Sequence, residues 1–317
     1  MRAVVLAVLV LMTGVAIAAA QATARLAVLA PTSAAEPDVR RWVLPELARA
    51  GFVEGRNLVL DIRHGPQSDF PAMARAIVAD RPQVIVAISS LPLSALREAT
   101  STIPIVTLGG DPVELGMAAS LARPGGNVTG HFILGPELDP KRLELLVQVL
   151  GPGAPVAGMV LAGSPTAAVS ERLMREAGEQ SGFPTLFVTA SGPSDYDRAI
   201  REARSAGARG LAVTGNPVFF RDTALILNLA AQAGLATACQ WREMAEQGCL
   251  VGYGPSRSSM YQWVARKVAL ILNGARPTEM PIERPTVFEL VLNLRTARTL
   301  GIELPATILG RADEVLD

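Results

Sequence analysis

The chain has 317 residues, half of them hydrophobic, with 29 basic and 29 acidic side chains and two histidines. That length exceeds what one core ordinarily fills, so two lobes are expected. Zero formal net charge and the lack of a basic run remove the electrostatic footprint of a nucleic-acid binder.

In chain order, "MRAVVLAVLVLMTGVAIAAAQA" comes first, with one arginine, an apolar run and small residues up to Ala20. This is the form of a cleavable secretory signal peptide, expected over residues 1–20. Short apolar runs then alternate with segments of helical period. Strands are predicted at 25–30, 57–62, 83–88, 104–108, 156–162, 185–189, 210–215, 235–239 and 288–293. Amphipathic helices are predicted in "DFPAMARAIVAD", "DPKRLELLVQVL", "TAAVSERLMREAG", "SDYDRAIREARSAG" and "RDTALILNLAAQAG". Alternation of this kind implies α/β architecture with parallel sheets, and continuous apolar runs imply strands covered on both faces.

Gly/Pro-rich stretches at 123–140, 252–256 and 273–286 are read as three crossings between lobes. They divide the chain into 25–130 plus 256–280 on one side and 133–252 plus 287–317 on the other. In an exported chain Cys239 and Cys249 can form a disulfide, or stay as two buried thiols behaving as small apolar groups; the sequence leaves both open.

Polar turns follow the strands. Thr32 and Ser33 follow the first, Ser89 and Ser90 the third, and Asp111-Pro112 the fourth. Ser164-Pro165 and Asn216-Pro217 follow two strands of the second half. Asp-Pro, Ser-Pro and Asn-Pro are helix-start signatures, and parallel sheets bind ligands beyond the carboxyl ends of their strands. These turns are expected to converge, three from one lobe facing two from the other. Free N–H groups at helix starts favour an anionic group such as a carboxylate, at about 0.3–1 kcal/mol per dipole. Micromolar binding needs about 8 kcal/mol, so apolar contact must contribute too, and Phe132, Trp241 and Tyr253 lie in or beside the crossings. Asp111 is read first as a helix cap and second as a partner for a ligand ammonium. His131, in the first crossing, is a further candidate for contact.

Enzyme motifs are missing: no G-x-S-x-G, Walker or G-x-G-x-x-G sequence occurs, and the two histidines are far apart. No catalytic residue, metal or cofactor is assigned.

"EATSTIPIVTLGGDPVELGMAASLARPGGNVTG" (98–130), "KRLELL", "GCLVGYGPS" and "RPTVFELVLNLRTARTLGIELPATILGRADEVLD", with "LARAGFVEGRNLVLDIR", resemble ABC-transporter substrate-binding proteins of the tryptophan/tyrosine type. The resemblance implies a type I periplasmic binding fold, two Rossmann-like lobes joined by three hinge crossings and closing on a small-molecule ligand. It implies delivery to a membrane permease with a separate ATPase, and the absence of a lipobox cysteine implies a free periplasmic protein. An exported sensor that presents its closed form to a receptor would use the same lobes. A transcription regulator would carry a DNA-reading helix pair where the export signal stands.

Overall fold

The computed structural model describes residues 23–113 and 116–317; the signal segment expected over 1–20 lies outside the described residues. The first sheet is built from Ala24–Ala30 (β1), Leu58–His64 (β2), Val84–Ile88 (β3), Ile105–Gly109 (β4) and Val128–Phe132 (β5). Its order is β2-β1-β3-β4-β5, with every neighbouring pair parallel. The second sheet holds Val156–Leu161 (β6), Thr185–Ala190 (β7), Gly210–Val213 (β8), Ala236–Cys239 (β9), Val251–Pro255 (β10), Phe288–Asn293 (β11) and Glu314–Leu316 (β12). Its order is β12-β11-β10-β9-β8-β6-β7, and only the β10–β11 pair is antiparallel. These are two α/β lobes, each with its own parallel sheet.

The strands form where apolar, β-branched runs can be buried on both faces. Val84, Ile85, Val86 and Ala87 are all 2% exposed or less, and successive residues enter different cores: Val84 and Val86 one, Ile85 and Ala87 another. Helix Phe70–Ala79 buries Phe70, Ala74 and Ile77, the i, i+4, i+7 stripe of an amphipathic helix, and carries a proline in its first turn. Helix Asp139–Leu150 has the bounds its sequence period predicts.

Three passages connect the sheets. The chain leaves the first sheet after β5 and returns after β10 into helix Arg257–Leu272, which packs on β3, β4, β5 and the helical segment 35–49. It leaves again between Glu283 and β11. The passages brace one another: Phe132 N–H donates to Glu283 O at 3.1 Å and Ser256 N–H to Val287 O at 2.9 Å.

The structure corrects the sequence reading in three places. No helix begins at Asp111-Pro112. Among the described residues, 112–127 form turns and bends, and Met117 and Ala118 N–H both donate to Pro112 O, at 2.7 and 3.0 Å. Gly116 and Gly125 adopt φ of 66° and 78°, left-handed conformations that close turns rather than propagate a helix. β5 and β10, inside the stretches read as crossings, are strands. In β10 a Cβ on Gly254 would stand 2.1 Å from Gln240 O, so glycine is what the close approach of the segment after β9 demands rather than a sign of a loop. Helix Arg257–Leu272 is not among the predicted helices, because its apolar residues spread over most of its circumference, burying Met260, Tyr261, Trp263, Val264 and Val268, while Leu270 lies on its narrow exposed strip.

Cys239 and Cys249 are joined in a disulfide, ten residues apart in sequence, which closes the segment carrying Trp241 and helix Arg242–Glu246. Chain entropy for so short a loop gives about 3 kcal/mol. The Cys239→Ala/Cys249→Ala double variant is expected to lose about that much stability in urea unfolding.

His131 is buried in β5, stacked on Trp263 at 4.8 Å, and its Nδ1 has no hydrogen-bond partner. Burial is the main cause that pushes its pKa down to about 4, against the pull of Glu283. A depressed folded-state value stabilises the fold above the unfolded pKa near 6.5, and that stability is lost as pH falls through 4. Asp38, raised to about 6 chiefly by burial, acts in the opposite sense, its contribution lost as pH rises through 6. A His131→Phe variant keeps the stack and isolates the histidine. Between pH 7 and pH 4 the wild type is expected to lose about 3 kcal/mol more than the variant, read from urea midpoints.

Candidate functional site

At the first sheet's carboxyl edge, the β3 and β4 turns interlock. Gly110 N–H donates to Ser90 Oγ at 3.1 Å and Ser89 N–H to Leu108 O at 2.7 Å. A Cβ on Gly109 would lie 3.0 Å from the Ser89 carbonyl carbon, so glycine permits this contact. Ser89 itself has φ 82° and ψ 160°, a conformation that L side chains rarely adopt. It introduces helix Ser90–Ala99, whose first turn presents N–H groups without intrahelical partners. Thr32 and Ser33 follow β1 and are joined by backbone bonds to Ala35 and Glu36 N–H. Asp111 Oδ1 accepts from Val113 N–H at 2.8 Å, an Asx turn rather than a helix cap.

The second sheet offers a similar edge. Asn216 Oδ1 caps helix Pro217–Arg221 by accepting from Val218 N–H at 2.9 Å, as its sequence signature predicts. Its Nδ2 lies 3.5 Å from Ser164 Oγ, so the β6 and β8 turns touch. Ser164 precedes helix Ala167–Ser181 by two residues and bonds locally to Thr166.

Beneath this edge lies a buried ion pair. Arg142, wholly buried, donates Nε–H to Tyr253 O at 2.8 Å and Nη1–H to Gly135 O at 3.3 Å and to Asp139 Oδ1. Asp139 also accepts from Ser170 Oγ at 2.6 Å and from Gly215 N–H at 3.3 Å. One pair thus ties the first passage, the second passage and the β8 turn together. Burial pushes the Asp139 carboxyl up and the Arg142 guanidinium down, while each holds the other charged.

Arg257 shows how the edges stand to each other. Its guanidinium pairs with Asp38, beyond β1, and with Glu243 Oε1 at 3.2 Å, beyond β9. It lies over the rings of Phe220 at 4.2 Å, Trp42 at 5.5 Å and Trp241 at 5.8 Å. Asp38 and Trp42 belong to the first lobe; Phe220, Trp241 and Glu243 belong to the second. The two carboxyl edges therefore face one another. Arg257 and Asp38 were not singled out by sequence reasoning. The available signal was an arginine at the first position of a helix, where the dipole opposes a positive charge unless acids surround it.

The aromatic candidates are all engaged. Phe132 is 1% exposed and lies under Arg284 at 5.1 Å; Tyr253 stacks on Phe288 at 6.4 Å and packs against the second lobe's core; Trp241 meets Arg257. His131 is likewise buried against Trp263 in the first lobe. No group of His, Cys, Asp or Glu among the described residues could hold a metal ion.

A glycine at position 89 removes the strain of a positive φ. Ser89→Gly is expected to stabilise the ligand-free protein by about 1 kcal/mol, seen as a higher urea midpoint at unchanged m-value.

Residues 35–316 match the family described as ABC transporter substrate binding protein. A tyrosine-binding protein of Clostridioides difficile is 35% identical over 127 residues, 38% of this chain and 35% of that protein, so the match spans about a third of the curated relative. Among solved structures, a conserved domain protein of Vibrio cholerae is 26% identical, with TM-score 0.85 over 92% of this chain and 99% of that one. The ABC domain of a Streptococcus pneumoniae protein in complex with L-Trp superposes with TM-score 0.84 at 18% identity, over 93% of this chain and 100% of that one, and shares the fold. A match over nearly the whole chain and two lobes joined by three passages agree: this chain belongs to the family of ABC transporter substrate binding proteins.

Proposed function

We propose that this protein is the exported solute-binding component of an ABC importer. It captures an amino acid between its lobes and hands it unchanged to a membrane permease driven by a separate ATPase. The observation that carries this reading is the facing of two carboxyl edges, each lined by interlocked polar turns. The lobes, 25–130 with 256–280 and 133–252 with 287–317, are the jaws. The signal-like segment before Ala20 supports export to the periplasm, and no helix among the described residues is long and apolar enough to cross a membrane.

In this reading the ligand carboxylate lies at the Ser89–Ser90 turn, where a ten-residue helix begins and no acid stands among the first-turn residues. Ser164 and Asn216 approach it from the second lobe, with Thr32, Ser33 and Asp111 at the rim. The printed descriptions of two similar proteins, one tyrosine-binding and one holding L-Trp, support an aromatic amino acid as the first class to test. Phe132, Trp241 and Tyr253 act as walls behind the ligand, since each is already packed against other side chains.

Thermal unfolding of the mature protein against each of the twenty amino acids and a set of small carboxylates tests this. A ligand at a hundredfold excess over its dissociation constant stabilises by about 2.7 kcal/mol, enough to raise the midpoint by several degrees. At least one aromatic amino acid is expected to do so and to be recovered unaltered. No shift with any compound would remove the basis of the proposal.

A further inference from the structure

Arg257 occupies an unusual position. It is 8% exposed, stands at the first position of a sixteen-residue helix, and opposes that helix's dipole. Asp38 and Trp42 fix it from within its own lobe. Tyr261 of its own helix lies beside it as well, while Phe220, Trp241 and Glu243 reach it from the opposite lobe. Glu243 turns one oxygen to the guanidinium while its other oxygen is buried with no partner. Such a carboxylate is poorly provided for except by the arginine's charge, so its placement depends on the lobes being together.

The lever arm is long enough to matter. Phe220 follows β8, two strands from β10, where the chain crosses back. At about 4.8 Å per strand this is about 10 Å from the crossing, so a hinge rotation of about 25° would move it by about 4 Å. That displacement lifts the ring from a guanidinium at 4.2 Å, while Glu243, which follows β9 one strand from the crossing, moves by about 2 Å, enough to stretch a 3.2 Å ion pair beyond contact.

We propose that Arg257 is the clasp of the two lobes, a positioning residue whose reach to Glu243, Phe220 and Trp241 sets how much of the ligand-free protein rests closed. The idea deepens the clamp reading above and rests on it, but it concerns the empty protein. A clasp raises apparent affinity without touching the ligand, because binding divides the intrinsic dissociation constant by the competent fraction. It has a limit: too strong a clasp would also slow entry and release.

Small-angle X-ray scattering of ligand-free protein at pH 7.5 tests the clasp and needs no ligand, so a failure of the amino-acid reading does not affect it. Two variants are compared with wild type. Glu243→Gln removes the charge on the far side of the clasp while keeping its shape. The double variant Asp38→Asn/Arg257→Met removes the clasp without leaving Asp38 as a buried unpaired charge. Both are expected to show a larger radius of gyration and loss of the closed-state scattering profile, with wild-type circular dichroism. Should the double variant fail to fold, Glu243→Gln decides alone. Scattering from the folded variants that superimposes on the wild type would overturn the proposal, including the case in which melting temperature falls while shape does not change, the mark of a merely structural contact.

Discussion

Parallel pairing is the constraint from which the rest of this molecule follows. A parallel strand can be reached only by a crossover to the opposite end of the sheet, so β1 to β5 all finish on one edge, and β6 to β10 all finish on one edge of the other sheet. The polar turns are gathered by that rule, without any need for sequence proximity. Three passages at one side of both sheets then turn the edges toward each other. Helix starts and hydroxyls consequently stand on both facing edges, the setting in which the proposed zwitterionic ligand would be held.

Two arginines give this arrangement its mechanical character, and they differ in kind. Arg142 is sealed inside one lobe and uses Nε and Nη1 on the carbonyls of Gly135 and Tyr253 and on Asp139, joining two passages to the β8 turn, while its Nη2 is buried without a partner. Removing one member of such a pair strands the other charge, so it acts as a fixed pivot. Arg257 instead bridges lobes through rings and a half-buried acid. Surface ion pairs such as Arg172–Glu176 surround both lobes but are exposed and contribute little. Charge matters here where it is buried at a passage.

Much of the fold was legible. Runs such as "QVIVAI" and "FELVLN" read as strands because burial on both faces keeps most of their residues apolar and β-branched, and Asn216-Pro217 read as a helix start because an amide cap and a proline need that geometry. What was not legible depended on neighbouring segments distant from the local pattern. β10 looks like a loop because Gly252 and Gly254 are dictated by Trp241 and Gln240 passing close by, which no local rule can see. Helix Arg257–Leu272 hides because most of its circumference is covered, leaving only a narrow exposed strip that includes Arg266 and Leu270. Asp111-Pro112 carried a helix-start signature, yet glycines at 116 and 125 and the Asx turn of Asp111 itself settle a loop. For the candidate site, sequence order locates the polar turns at the strand ends but not what the aromatics touch: it places Trp241 near a crossing, and only the fold reveals that Arg257 is already there.

Amide hydrogen exchange, read by mass spectrometry on the free protein and on the protein saturated with the amino acid that stabilises it most, tests the central claim most directly. Ligand held between facing edges should slow exchange together at Ser89–Leu91 in the first lobe and at Asn216–Val218 in the second. Protection confined to one lobe, or found on a face away from both edges, would contradict the account.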